Sequence, residues 1–358
     1  MSVRSKLKLI LVFSFVLSVM ISPAQALTTN EVNITTAFRN IQNVVGAPAG
    51  HVTPKWPVAA SSTSAIESAF GVRIQNSTGK YDWHRGIDID AALNTDVKAA
   101  ETGELWKVYQ YPNSTYPDGG NVVILRHKFG SPVVYNGKTL TYYYTLYMHL
   151  NTINQTLINA FKSGVLLNVK AGDLLGKVGH TGEPNIADHL HFELRVGTYC
   201  TLEFQVANSN SSCSKGYMYD PAMNPLLLFA PPAPTTTAVL STKPTSLVAG
   251  KVHISMSDAQ TLLNRVEFSI TNASNVVVKS SVLDFDERTG FNATSTSTLD
   301  TPDKTKPYFS PLIFNDASLS YQMDVIIPKA FISGYDGVSY KRTLTVEDIW
   351  GNRVPVKW

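Results

Sequence analysis

The chain has 358 residues, 44% apolar and 16% charged, a composition that excludes a mostly disordered protein and a collagen-like one and suggests two globular domains. Its formal charge of +3 comes entirely from the start of the chain: setting Arg4, Lys6 and Lys8 aside from the 30 basic side chains leaves 27, matching the 27 acidic ones. No basic stripe of the kind that neutralises phosphates remains, which excludes a nucleic-acid binder.

Those three cations precede an apolar run from Leu9 to Ile21, followed by Ser22-Pro23-Ala24-Gln25-Ala26. A charged start, an apolar stretch of this length and a small-x-small ending predict a secretory signal peptide over residues 1–26, cleaved after Ala26. The run is shorter than the ~20 residues a bilayer crossing needs, and no later stretch is long and apolar enough, so no membrane span is expected after cleavage. The chain is therefore expected outside the cytoplasm, in the periplasm or beyond the cell. There thiols oxidise readily, and Cys200 and Cys213, flanking a polar segment, are expected to form a disulfide.

Next in the chain comes an N-terminal segment, residues 27–56, with one predicted helix around Glu31 to Val44. From 57 to 229 the pattern becomes short β-branched or alternating runs separated by turn residues: Asp96 to Tyr109, Asn121 to His127, Thr139 to Leu150 and His189 to Val196. These predict a largely antiparallel β domain. A Pro/Thr-rich linker, 230–237, interrupts it. Residues 238–358 again carry spaced short strands, at Val252 to Met256, Arg265 to Thr271, Val276 to Val282, Met323 to Ile327 and Lys341 to Val346. That spacing suggests an immunoglobulin-like β-sandwich. The fold class expected is thus mainly β in two units.

Three segments of the first unit gather the residues that carry chemistry. In His84-Arg85-Gly86-Ile87-Asp88-Ile89-Asp90, an extended backbone would put His84, Gly86, Asp88 and Asp90 on one face. In His189-Leu190-His191-Phe192-Glu193-Leu194-Arg195-Val196 the alternation is complete, with His, His, Glu and Arg on one face and apolar residues on the other. His149 ends an aromatic-rich strand. Imidazole and carboxylate are ordinary zinc ligands, and a hydrolytic zinc site keeps three of them. Spacing alone does not decide which of His189 and His191 coordinates. Glu193 shares their face, either orienting a ligand from behind or exposed to water. His127 reads as a packing residue, His180 as a surface turn residue, and His51 and His253 as lacking companions.

Several ordered motifs carry a family resemblance: Ser68-Ala-Phe-Gly-Val-Arg73, His84-Arg-Gly-Ile-Asp88, Lys98-Ala-Ala-Glu-Thr-Gly103, Tyr147-Met-His149-Leu, Gly179-His-Thr-Gly182 and His189-Leu-His191-Phe-Glu. In this order they resemble the lysostaphin-type (LytM-like) zinc endopeptidases, from Pro57 to the Asp220-Pro221 region. The resemblance implies an antiparallel β domain with a groove, cleavage of peptide bonds in peptidoglycan, Zn2+ held by His84, Asp88 and His191, and His149 and His189 as catalytic histidines. The family also contains degenerate members that lack ligands, whereas every position is filled here. Segments Ser131 to Thr139 and Thr152 to Leu167 read as insertions that reshape the groove.

The expected chemistry is zinc-assisted hydrolysis, with His149 and His189 taking a proton or hydrogen-bonding the oxyanion. Two other readings stand beside it: a non-catalytic zinc-containing regulator of wall hydrolases or wall-binding module, and a secreted endopeptidase acting on proteins. Residues 27–56 are a candidate shield for the zinc, through Asn30, Asn33, Asn40 or Asn43. The partners implied are peptidoglycan peptides; the 238–358 unit names none.

Overall fold

The computed structural model describes residues 29–46, 50–59, 66–68, 70–75, 80–112, 119–135, 138–182, 186–196, 222–229, 250–256, 263–284, 298–299, 305–309, 313–315, 320–335, 337–349 and 353–357. The expected signal peptide and linker and both cysteines lie outside them. Among the described residues no helix is long and apolar enough to cross a membrane.

The chain is mainly β, built from antiparallel sheets with few helices. Helix α1 (Thr29–Gln42) leads into β1 (Ile66–Ser68), β2 (Gly71–Gln75), β3 (Lys80–His84), β4 (Ile87–Asp90), β5 (Asp96–Lys98), β6 (Gly103–Tyr109), β7 (Val122–Tyr135) and β8 (Lys138–Met148). Then follow β9 (Thr152–Ile153), α2 (Gln155–Lys162), β10 (Asn168–Val169), β11 (Leu174–Lys177), β12 (His189–Val196), β13 (Ala222–Met223) and a 3-10 turn, Pro225–Leu228. The main sheet runs β1-β4-β12-β8-β7-β6-β10, with β13 also on β12, and a small sheet β5-β11-β9 lies beside it.

Several expectations meet a different local structure. Asp96 to Tyr109 is two strands in two sheets, because the chain turns at Ala99–Thr102 to bury Glu101 against the Tyr143 hydroxyl, 2.5 Å away. The 131–139 insertion extends the β7–β8 hairpin, with Val133 opposite Leu140. The 152–167 insertion forms β9 and α2, whose Leu157 and Ile158 are buried.

Helix α1 carries Ile34, Phe38 and Ile41 at helical spacing, and all three are buried. Phe38 meets Phe129 and Tyr143 edge-on, at 5.7 and 5.5 Å between ring centres, and Gln42 Nε2 donates to the carbonyls of Leu227 and Phe229. Tyr143 lies opposite Val196, and Tyr147 opposite Phe192. Because side chains alternate across a strand, α1 covers the face bearing Phe192 and Val196, while His191, Glu193 and Arg195 project from the other. The notion that this segment shields the zinc is therefore corrected for the helix: apolar burial anchors it to the opposite face. Asn43 is spent locally, donating from Nδ2 to Arg39 O.

Beyond residue 250 come β14 (Gly250–Met256), β15 (Leu263–Thr271), β16 (Val277–Asp284), β17 (Thr298–Leu299), β18 (Tyr308–Phe309), β19 (Ile313–Asn315), β20 (Ser320–Ile327), α3 (Lys329–Ile332), β21 (Lys341–Asp348) and β22 (Arg353–Lys357). They make two antiparallel sheets, β14-β20-β18 with β19 also on β20, and β16-β15-β21-β22. Val266, Phe268, Ile270, Val325, Ile327, Leu344 and Val346 are buried, and Phe268 meets Phe331 edge-on. Strand β17 pairs instead with β3, making a three-stranded sheet with β2.

Candidate metal and catalytic site

The polar face of β12 is framed by β4 on one side and β8 on the other. Asp88 lies directly opposite His191 in the β4–β12 ladder, and Met148 opposite His191 in the β12–β8 ladder, so His149 follows one residue past the sheet edge. The backbone from His84 to Asp90 is not one extended strand. His84 ends β3, Arg85 and Gly86 cross over, and β4 starts at Ile87 in a different sheet. Gly86 permits this: a Cβ there would lie 2.4 Å from Phe192 O and 2.9 Å from His191 Nε2. The crossing turns His84 back onto Asp88. The two residues thus converge through this crossover and not through a shared strand face.

His84 Nε2, Asp88 Oδ1 and His191 Nδ1 form a triangle with sides of 3.1, 2.8 and 3.0 Å, and all three residues are buried. Four ligands at ordinary zinc distances in a tetrahedron stand about 3.3 Å apart, so the triangle is close to the spacing a single ion imposes. The hydrogen-bond partners sharpen this. His191 Nε2 is 3.0 Å from Glu193 Oε1, an acceptor, so that nitrogen donates, and in the neutral ring Nδ1 is the nitrogen whose lone pair would face Asp88 and His84. His84 Nδ1 lies 3.4 Å from Ser68 Oγ.

His149 and His189 sit beside the triangle. Their rings are 4.9 Å apart, the His149 ring is 5.8 Å from that of His191, and His189 Nε2 is 3.6 Å from Asp88 Oδ1. His149 donates from Nδ1 to Thr181 O, and His189 from Nδ1 to Ala187 O, each at 2.9 Å. Each neutral imidazole therefore keeps its lone pair on Nε2.

The surroundings set the charges. Burial would raise the Asp88 carboxyl, but His84 and His191 outweigh it and hold the group well below the usual carboxylate range. Burial opposes a proton on His191, yet its bonds to Asp88 and Glu193 raise it to about 9. Burial likewise works against the charged form of Glu193, but Arg195 and His191 bring it down to about 2. His149 lacks such a partner; burial first, then His191 and His189, lower it to about 3, so at neutral pH it is uncharged.

Glu193 is not the exposed carboxylate that one reading of the sequence allowed. It is buried, and Arg195, itself 1% exposed, donates from Nε to its Oε2 at 2.6 Å. The whole of β12 is buried, on the polar face as well as the apolar one. His127 stands on the opposite face, stacked on Tyr143 and within hydrogen-bond reach of Thr102 O and Thr145 Oγ1, as a packing residue would be. His180 is exposed and pairs with Asp188. His51, read as lacking a companion, has one: its Nδ1 is 2.8 Å from buried Glu101. Sequence reasoning missed Ser68 as a neighbour of His84, and it missed the carbonyls of Thr181 and Ala187, which are backbone groups that no side-chain pattern announces.

Residues 82–202 match Peptidase family M23. The DD-carboxypeptidase/endopeptidase Mpg of Neisseria meningitidis serogroup B and that of Neisseria gonorrhoeae are each 31% identical over 131 residues, covering 37% of this chain and 24% of theirs. The chain thus spans about a quarter of the length of these curated relatives. Among solved structures, a zinc containing peptidase from Vibrio cholerae is 24% identical over 41% of this chain and 37% of that one, with a TM-score of 0.29. The structure of LytU is 26% identical over 40% of this chain and 81% of that one, with a TM-score of 0.27. His84, Asp88, His149, His189 and His191 all lie inside the segment 82–202, and that segment carries the match to Peptidase family M23.

Proposed function

We propose that this protein is an exported zinc endopeptidase that hydrolyses peptide bonds in the stem or crossbridge peptides of peptidoglycan. The observation that carries the reading is the convergence of His84 Nε2, Asp88 Oδ1 and His191 Nδ1 within 3.1 Å, with two further imidazoles alongside. Two imidazole nitrogens and one carboxylate oxygen turned to one point are a donor set that suits zinc. The names of the Neisseria relatives, which are said to be endopeptidases, support the reaction class. Cleavage after Ala26 and a Cys200–Cys213 disulfide belong to the same proposal, as do a peptidase domain over 57–229, a linker at 230–237 and an immunoglobulin-like sandwich over 238–358. For the sandwich, the two antiparallel sheets after residue 250 are the support.

When bound, zinc supplies a Lewis acid that acidifies water and polarises the scissile carbonyl. His191 is held for coordination through Nδ1 by the Glu193 carboxylate, which Arg195 fixes in turn. His149 and His189, each anchored at Nδ1 by a backbone carbonyl, take a proton at Nε2 as the attacking water adds, and either can return it to the leaving amine. As imidazolium, the one that holds the proton is a hydrogen-bond donor to the developing oxyanion.

The test is digestion of purified walls of known crosslink type by the zinc-loaded protein, with mass spectrometry of the released fragments. Cleaved peptide crosslinks are expected. Walls of both the diaminopimelate-crosslinked and glycine-bridged types left intact would overturn the proposal.

A further inference from the structure

His149 occupies an unusual backbone state. It lies immediately after β8 with φ at +61°, a left-handed conformation that strains a side-chain-bearing residue and persists only where neighbours fix it. Those neighbours are two polar residues from separate loops. The His149 N–H donates to Gly119 O and the Leu150 N–H to Asn121 O, while the Thr181 N–H donates back to His149 O. Asn121 Nδ2 donates to Leu150 O at 2.8 Å and to Asn151 O at 3.2 Å. Thr181 Oγ1 accepts from the Asn121 N–H at 2.9 Å and donates to Leu150 O at 2.8 Å. Thr181 O then accepts the His149 Nδ1 proton.

The two loops interlock closely. Gly120, at φ +67°, brings its Cα so near Thr181 that a Cβ there would sit 2.1 Å from Thr181 O. Every backbone N–H and C=O from His149 to Leu150 is thus paired, and the residues that pair them also hold the carbonyl that fixes the imidazole tautomer.

We propose that Asn121 and Thr181 are positioning residues for His149. Together they clamp its strained backbone and keep its Nε2 lone pair aimed for proton transfer. This assigns a task to the Gly179-His-Thr-Gly182 turn, and it rests on the reading of His149 as a proton carrier. Apart from the Tyr111 N–H that Asn121 Oδ1 accepts, the hydrogen bonds that Asn121 and Thr181 make run to the backbone around His149 and to each other, and none goes to His84, Asp88 or His191, so the clamp acts on turnover and not on metal binding.

The test compares Thr181→Val, which keeps the shape and loses the hydroxyl, with Thr181→Ser, which keeps the hydroxyl. Crosslinked peptides released from walls serve as substrate. Misplacing a reacting group by about 1 Å costs on the order of a hundredfold. Thr181→Val and Asn121→Ala should therefore lower kcat about tenfold to a hundredfold at unchanged KM and zinc content, and Thr181→Ser should recover most of it. Wild-type kcat in Thr181→Val, an equal loss in Thr181→Ser, or a loss confined to KM or zinc content would overturn the proposal. Should Thr181→Val fail to fold, the decisive measurement is NMR of 15N-histidine-labelled wild type, with the His149 signal identified by its absence in His149→Gln. The Nδ1–H tautomer is expected, and an Nε2–H tautomer overturns the clamp. That spectrum needs no activity, so wild-type protein inert on every wall would refute the function, while the tautomer alone decides the clamp.

Discussion

In the sheet β16-β15-β21-β22, Glu267 and Glu347 are as buried as Asp88 and Glu193 are around the histidines, yet the two regions balance their charges differently. Glu347 accepts from Arg353 Nη1 at 2.8 Å and faces Arg265 Nη1 at 3.8 Å, while Glu267 accepts from both terminal nitrogens of Arg353. Each carboxylate there meets a permanent cation. Around His191 the balance is conditional: Glu193 has its guanidinium, but Asp88 is met by three imidazoles, whose charge depends on a proton. A buried network closed by its own permanent cations holds a fold together. One that gathers imidazoles around a carboxylate leaves its balance to protons or, on the function proposed above, to a cation from outside.

The largest expected effect would break the second half of that comparison. Removing Asp88 or His191 by Asp88→Ala or His191→Ala should abolish stoichiometric zinc and lower hydrolysis by at least about a thousandfold, the equivalent of several kcal/mol of lost Lewis-acid stabilisation. Elemental analysis alongside a wall-digestion assay checks this, and zinc retained at full stoichiometry in both variants defeats the ligand assignment. Next comes His149→Ala, which should keep zinc and lose activity by about 10²–10⁴-fold. Wild-type turnover in this variant removes His149 from the chemistry.

Glu193→Gln sharpens the comparison. The amide oxygen still accepts from His191 Nε2, but the charge facing Arg195 is gone. Zinc affinity, measured by competition with a chelator, should fall about 10–100-fold. An unchanged affinity would mean that Glu193 only fills space. In the other region, Arg353→Met removes the cation shared by Glu267 and Glu347. Its side chain is 26% exposed, so the loss is smaller than for a fully buried pair, about 1–3 kcal/mol in unfolding experiments, with zinc content unchanged.

The same contrast explains what could be read from sequence. His189 and His191 alternate with Leu190 and Phe192, a pattern that survives in any strand, and β12 runs over the predicted residues. The opposition of Asp88 and His191 needed the β4–β12 register, and the return of His84 needed the break at Gly86; both depend on partners distant in the chain. Helix α1 was legible as a helix from its own periodicity. Its placement was not, because Phe38 takes its direction from Phe129 and Tyr143. His51 looked solitary because Glu101 is fifty positions away. Local pattern names the donor atoms, while convergence is a long-range property.

The smallest effect concerns a histidine built on the first plan inside the segment that matches Peptidase family M23. His127 is buried, and burial pushes its imidazole below the ordinary histidine value, with Glu101 and the Thr102 carbonyl opposing less strongly. The unfolded chain takes up a proton at this residue below about pH 6.5, whereas the folded protein resists it until the pH is lower. Its contribution to stability is therefore complete above about pH 6.5 and is lost progressively as the pH falls. His127→Gln removes the titrating group and retains an amide that can reach Thr102 O and Thr145 Oγ1. Melting temperatures measured from about pH 6.5 down to 4 should then fall less steeply than in wild type. Parallel slopes would show that the acid sensitivity lies elsewhere. His149, also held low by burial, is the first place to look, and His149→Gln would then flatten the slope that His127→Gln leaves unchanged.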